Sequence, residues 1–268
     1  MEEYIIKTNE DGTTILVSQV QTVLLSMLKD IDVVCKKHNI PYWLTGGSAL
    51  GAVRHKGFIP WDDDADIGMM REDFERFLLV AHELGDGYTT HNYPQHKDCN
   101  VLVPTKVRKK GTYCEEFNVL LKNKCTDCDG LFIDIFVIDY VNTNSIIDVT
   151  WRVRNGILMV LVALFENLGC NPIHLKNRFL RNAKKYGQNN KGSHMIGFDL
   201  TWTFNSFIHP VVYEKESVFP IQYVPFEDTF LPIPKRPKDM LDIEVSPSHM
   251  SFPPEKDRVP KHLKDAKF

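Results

Sequence analysis

Apolar residues at Val20, Leu24, Met27, Ile31 and Val34 recur every three or four positions, which predicts a helix over residues 18–39 with Ser18 as N-cap and Pro41 as stop. Tyr42-Trp43-Leu44-Thr45 then has strand composition, broken by Gly46-Gly47 ahead of a short helical stretch at residues 48–54. A second short strand is expected at residues 65–69, followed by an amphipathic helix over 71–84 with Phe74, Phe77, Leu78 and Ala81 inward. Residues 101–107 and 131–138 read as further strands, the latter a run of Phe, Ile and Val broken by Asp134. From 146 to 186 the pattern is helical, and the break at Gly169-Cys170-Asn171-Pro172 predicts two helices. Ten of the fifteen prolines fall between Pro210 and Pro260, so this segment is expected to wrap over the rest as loops and turns.

Mixed strands and helices followed by a helical stretch argue for an α/β or α+β fold, a mixed sheet with flanking helices. At roughly 150 residues per domain, 268 residues allow one large domain or a core with a subdomain. The division expected is residues 1–140 as the core and 141–268 as a helical and proline-rich region that completes it. A net charge of −3 excludes generic, charge-driven adhesion to nucleic acid, so function must come from local constellations. Met1-Glu2-Glu3-Tyr4 lacks the basic start of a secretory signal, and the longest apolar run, residues 157–165, is far short of the ~20 that span a bilayer. Six irregularly spaced cysteines do not read as a disulfide framework, which points to a reduced, cytoplasmic chain. Cys125-x-x-Cys128 makes a zinc site only if Cys99, Cys114 or His96 completes it, and free thiols are the simpler reading.

The densest chemistry is Trp61-Asp62-Asp63-Asp64-Ala65-Asp66, four carboxylates in five positions. Two such charges ~4 Å apart repel by about 4 kcal/mol at an effective dielectric near 20, so something positive should neutralise them. On a strand Asp64 and Asp66 share a face, where they suit a hard cation such as Mg²⁺. Asp134, alone in an apolar strand, needs a partner, and a metal shared with Asp64 and Asp66 supplies one. Thr45-Gly46-Gly47-Ser48 is a glycine turn between strand and helix, a shape that lets backbone N–H groups approach phosphate. Arg54, Lys56, Lys106 and Arg108 flank these motifs and are candidate phosphate contacts.

The stretch from Gly47-Ser48 through Arg54-His55-Lys56-Gly57 to Trp61-Asp62-Asp63-Asp64-Ala65-Asp66-Ile67 closely resembles the signature of the LicD family of phosphocholine transferases, distantly similar to fukutin-type ribitol-phosphate transferases. The likeness continues at Lys106-Val107-Arg108, at Gly130-Leu131-Phe132-Ile133-Asp134, at Val224-Pro225-Phe226-Glu227 and at Phe252-Pro253-Pro254-Glu255. It implies a nucleotidyltransferase-like core and a Mg²⁺-dependent (alternatively Mn²⁺-dependent) transfer of phosphocholine or a similar phospho-alcohol. The donor is a CDP-alcohol such as CDP-choline, and the acceptor a sugar hydroxyl of a cell-surface glycan such as lipopolysaccharide, teichoic acid or capsule, or of its lipid-linked precursor. Asp64, Asp66 and Asp134 match the family's metal-binding acids, and Asp62 matches a further aspartate. Where relatives carry Tyr-Gly-Asp, this chain has Ser246-Pro247-Ser248.

The implied chemistry is in-line attack of a hydroxyl on the β-phosphorus with CMP leaving, Asp134 or Asp62 accepting the proton. A choline ammonium would seek aromatic faces, for which Trp61, Tyr93, Trp202 and Phe204 are candidates. The alternatives are transfer of NMP from an NTP to a small molecule and a non-catalytic nucleotide- or glycan-binding scaffold. Trp151, Arg152 and Arg154 beside residues 157–165 mark either a buried core helix or a peripheral contact with a membrane, on its cytoplasmic face.

Overall fold

The computed structural model describes residues 3–97, 99, 101–117, 128–201 and 210–268. The hairpin β1 (Ile5–Thr8) and β2 (Thr14–Leu16) runs directly into helix α1 (Val17–Lys37). That continuity moves the helix start ahead of the expected Ser18 cap: Leu16 flanks the helix, and Gln19 Oε1 accepts its N–H at 2.9 Å. The expected apolar stripe of α1 is buried in the core. Then follow β3 (Trp43–Leu44), α2 (Gly46–His55), β4 (Asp66–Met70) and α3 (Arg71–Val80), with a 3-10 turn at Ala81–Leu84. The two glycines form the first turn of α2 instead of preceding it.

Strands β5 (Tyr88–His91), β6 (Thr105–Lys109), β7 (Tyr113–Glu116) and β8 (Phe132–Tyr140) complete the region before the long helices. The strand expected at residues 101–107 begins only at Thr105, because Pro104 closes the turn that precedes it. Helices α4 (Ser145–Asn167) and α5 (Ile173–Asn189) appear as expected, with Asn144 Oδ1 capping α4 through the N–H groups of Ile146 and Ile147.

Past Asn189 the chain is more regular than its prolines suggest. It forms β9 (Met195–Phe198), β10 (Val212–Glu214), α6 (Lys215–Val218), the hairpin β11 (Gln222–Phe226) and β12 (Thr229–Ile233), α7 (Pro237–Glu244) and β13 (Leu263–Lys267). Pro225 and Pro232 are accommodated because β11 and β12 pair only with each other, which leaves each an open edge.

The main sheet is mixed and centres on β8. On one side β8 pairs in parallel with β4, which pairs antiparallel with β3; on the other it pairs antiparallel with β6 and, farther along, β9. Strands β5 and β10 extend the sheet from β6 and β9, so residues on both sides of position 140 share it. One face carries Ile67, Met69, Val107, Ile133 and Ile135, all buried, and this alternation pins the register. The opposite face presents Asp66, Asp134 and Lys106.

One expectation is corrected by the fold. Cys99 is disulfide-bonded, so the chain is not wholly reduced; irregular spacing could not show it because sulfur proximity is set by the fold. Cys35, Cys114, Cys128 and Cys170 are free thiols, Cys114 lies against the Gly130 carbonyl, and Cys125 lies outside the described residues. Helix α4 buries one face only: Leu158 and Val162 are buried, whereas Ile157, Val160 and Leu164 are more than half exposed. Among the described residues no helix is long and apolar enough to cross a membrane.

Candidate active site

Register across three strands builds the centre of the site. Asp66 on β4 lies opposite Asp134 on β8, and Asp134 lies opposite Lys106 on β6, so the three project side by side from one face. The Lys106 ammonium sits 3.0 Å from Asp134 Oδ1, 3.2 Å from Glu116 Oε2 and 3.3 Å from the centre of the Phe132 ring. Asp62 and Asp64 approach from the segment before β4. Burial pushes the carboxyls of Asp62, Asp64, Asp66 and Asp134 above the ordinary range, and mutual repulsion adds to this. Asp62 and Asp66 rise furthest; Lys106 opposes the rise at Asp134, and His262 opposes it at Asp64.

The glycine turn is moulded to these acids. A Cβ on Gly47 would stand 2.6 Å from Asp62 Oδ2, and Gly46, at φ +54, faces Asp66 Oδ2. Ser48 Oγ accepts the Asp66 N–H at 2.9 Å, which ties the turn to the strand. The Gly46 N–H is held by Glu244 Oε2, from the last turn of α7, which accepts it at 2.8 Å together with the Thr45 hydroxyl at 2.7 Å. Burial raises the Glu244 carboxyl to about 7.

The basic candidates divide. Lys106 alone of the four stands among the carboxylates. Arg108 is buried and donates to Glu116 at 2.8 Å and to the Gly130 carbonyl at 2.7 Å, so it is a structural cation and not an open phosphate contact. Burial opposes ionisation of Glu116, but Lys106 and Arg108 outweigh it and hold the group below its usual range. Arg54 donates to the carbonyls of His249 and Ser251 and lies over the Trp61 and Phe252 rings, which fastens the C-terminal segment. Lys56 is exposed at the far end of α2, about 15 Å along the helix axis from the glycine turn.

The aromatic candidates are also committed. Arg54 and Arg258 lie over the Trp61 ring, and Lys97 and Lys176 over the Tyr93 ring, so cations of the chain itself take those faces. Trp202 and Phe204 lie outside the described residues. A separate cleft of ≈ 460 Å³ is lined by Tyr93, Thr105, Phe136, Arg181, Lys184 and Thr201 among others, and neither the site acids nor Lys106 line it.

Glu116, Glu244 and His262 carry no local sequence signal because each acts from a separate element. His262 Nδ1 lies 3.0 Å from Asp64 Oδ2. Among the described residues, Asp62, Asp64 and His262 are the group whose ligand atoms all fall within 4.8 Å of one another. A further family-like motif serves the fold. Glu227 at the β11–β12 turn accepts the Phe58 N–H at 2.9 Å and donates its own N–H to the Lys56 carbonyl, docking that hairpin on the loop after α2.

A strand, a glycine turn opening a helix, and carboxylates converging from adjacent strands make up the candidate site. Residues 39–156 match the LicD/FKTN/FKRP nucleotidyltransferase domain. It is 34% identical over 125 residues to the lipopolysaccharide cholinephosphotransferase LicD of Haemophilus influenzae, covering 45% of this chain and 43% of that protein. It is 52% identical over 40 residues to the human ribitol 5-phosphate transferase FKRP, 15% of this chain and 8% of that protein, and 29% identical over 63 residues to the mouse ribitol-5-phosphate transferase FKTN, 24% and 14%. The chain thus spans less than half the length of these curated relatives.

Proposed function

We propose that the protein transfers phosphocholine, or a similar phospho-alcohol, from a CDP-activated donor to a sugar hydroxyl of a glycan or lipid-linked glycan. The observation that carries this reading is the row Lys106, Asp134, Asp66 with Asp62 and Asp64 beside it. Four partly buried carboxyls beside one ammonium carry excess negative charge, and their hard oxygens are the donor chemistry of Mg²⁺, with Mn²⁺ as an alternative. Asp64, Asp66 and Asp134 would hold the ion, which when bound supplies neutralisation of the diphosphate.

The chain's own groups do the rest. Lys106, fixed between Asp134 and Glu116, would be the cation nearest a phosphoryl group brought to these acids. The acceptor oxygen forms a bond to the β-phosphorus as the bridging P–O bond to CMP breaks, and the hydroxyl proton passes to a site carboxylate. Asp62 suits that role, because burial and neighbouring acids raise its proton affinity. Tyr93 and Phe136 with Arg181 and Lys184 give the cleft apolar and basic walls suited to a nucleotide. The exposed side of α4 supports peripheral membrane contact, where a lipid-linked acceptor would lie.

Incubation with CDP-choline, CDP-ribitol or CDP-glycerol, Mg²⁺ and a glycan acceptor is expected to release CMP with one of the three. Asp66→Asn should abolish that release while circular dichroism stays unchanged. Pyrophosphate from CTP without CMP from any CDP-alcohol would replace this reading with NMP transfer. Tight nucleotide binding without turnover would replace it with a scaffold.

A further inference from the structure

The aspartate triplet grips the end of the chain as well as the sheet. The buried side chain of Asp63 turns to the backbone of residues 261–263, where its carboxylate accepts the N–H of Lys261 at 3.1 Å, His262 at 3.2 Å and Leu263 at 2.7 Å. On its other edge this segment continues into β13, which pairs antiparallel with β7, and the His262 carbonyl accepts the Phe117 N–H at 2.9 Å. A backbone held on both edges fixes where the His262 imidazole can reach, and it reaches Asp64. The ring is 47% exposed, so it is open to a ligand from solvent.

We propose that Asp62, Asp64 and His262 form a mixed carboxylate–imidazole site for a borderline divalent cation such as Mn²⁺, Co²⁺ or Zn²⁺. Donors roughly 2.1 Å from one ion stand at most about 4.2 Å apart, so a set within 4.8 Å closes on an ion with a movement of about 0.6 Å. An imidazole nitrogen favours these ions over Mg²⁺ and Ca²⁺, which take oxygen. His262 lies outside residues 39–156, so the matched domain does not contain this ligand; the C-terminal segment brings it. The proposal deepens the transfer reading, on which it rests for its catalytic meaning, since Asp64 belongs to both donor sets and an ion on Asp62 would withdraw that carboxylate as proton acceptor. The geometry of the three ligands stands without it.

The test is cobalt titration of the full chain in the absence of donor and acceptor, followed by visible absorption, with Mg²⁺ binding measured by calorimetry. The wild-type protein is expected to give a d–d band characteristic of nitrogen and oxygen ligation. His262→Gln should lose at least tenfold in Co²⁺ affinity and shift that band, with Mg²⁺ affinity changed by less than twofold. The half-exposed ring contributes little to packing, so the variant should fold, and melting of its metal-free form checks this. An unchanged band and Co²⁺ affinity in His262→Gln would overturn the proposal and leave the Asp64–His262 contact as an ordinary ion pair. Absence of CMP release with the cobalt band intact would instead remove the transfer reading alone.

Discussion

Glu244 shows how one residue far along the chain can set the charge at a site it does not neighbour in sequence. Its carboxylate satisfies the first N–H of α2 and the Thr45 hydroxyl, yet burial raises its pKa from 4.5 to about 7. The folded chain therefore holds this proton more tightly than the unfolded chain does. The corresponding stability is complete below about pH 4.5 and is lost as pH rises towards 7, by at most about 3 kcal/mol. Glu244→Gln keeps an acceptor for Gly46 and Thr45 but has nothing to ionise. Its melting temperature is expected to fall less than that of the wild-type protein between about pH 5 and 7.5, the two measured metal-free by calorimetry. Parallel curves would show that Glu244 is not the group that titrates.

The strand, turn and helix around residues 43–70 were legible in the sequence because their signals are local. Period-two alternation put Asp66 on a polar face, the diglycine marked the turn, and an acid isolated in an apolar strand marked Asp134. The Lys106 pairing, the Arg108–Glu116 contact and the His262 approach were not legible, since each depends on strand register or on segments more than a hundred residues apart. Proline density misled for a related reason: it reports lost N–H donors, and edge strands such as β11 and β12 can spare them. The element itself gives a prediction at Gly47. A methyl group there would come within 2.6 Å of Asp62 Oδ2, the movable end of a side chain, so the fold should yield at little cost. Gly47→Ala is expected to melt within a few degrees of the wild-type protein while its rate of CMP release drops at least tenfold, because Asp62 is displaced. Full activity would mean that the position of Asp62 is not needed for transfer.

On the scale of the whole molecule, the pair α4 and α5 stands out among the described residues for its exposed apolar side chains. Ile146, Val149, Val153, Ile157, Val160 and Leu164 follow one another at spacings of three and four along α4, and all are exposed. Beside them α5, which carries no acidic residue, exposes Arg178, Arg181 and Lys185, and Arg154 and Arg178 line the groove with Val149, Val153 and Ile157. An apolar stripe rimmed by cations is complementary to an anionic bilayer surface, where each buried side chain contributes on the order of 1 kcal/mol and each basic group about as much. The full chain is therefore expected to sediment with vesicles containing anionic phospholipid, less so as salt rises, and weakly with neutral vesicles. Ile157→Glu, at a position 58% exposed, should leave the melting temperature almost unchanged and lower vesicle binding at least tenfold. Turnover of a soluble acceptor should be untouched by that substitution, whereas turnover of a vesicle-borne acceptor should fall with binding. Equal sedimentation of the two proteins would remove α4 as the membrane-facing surface.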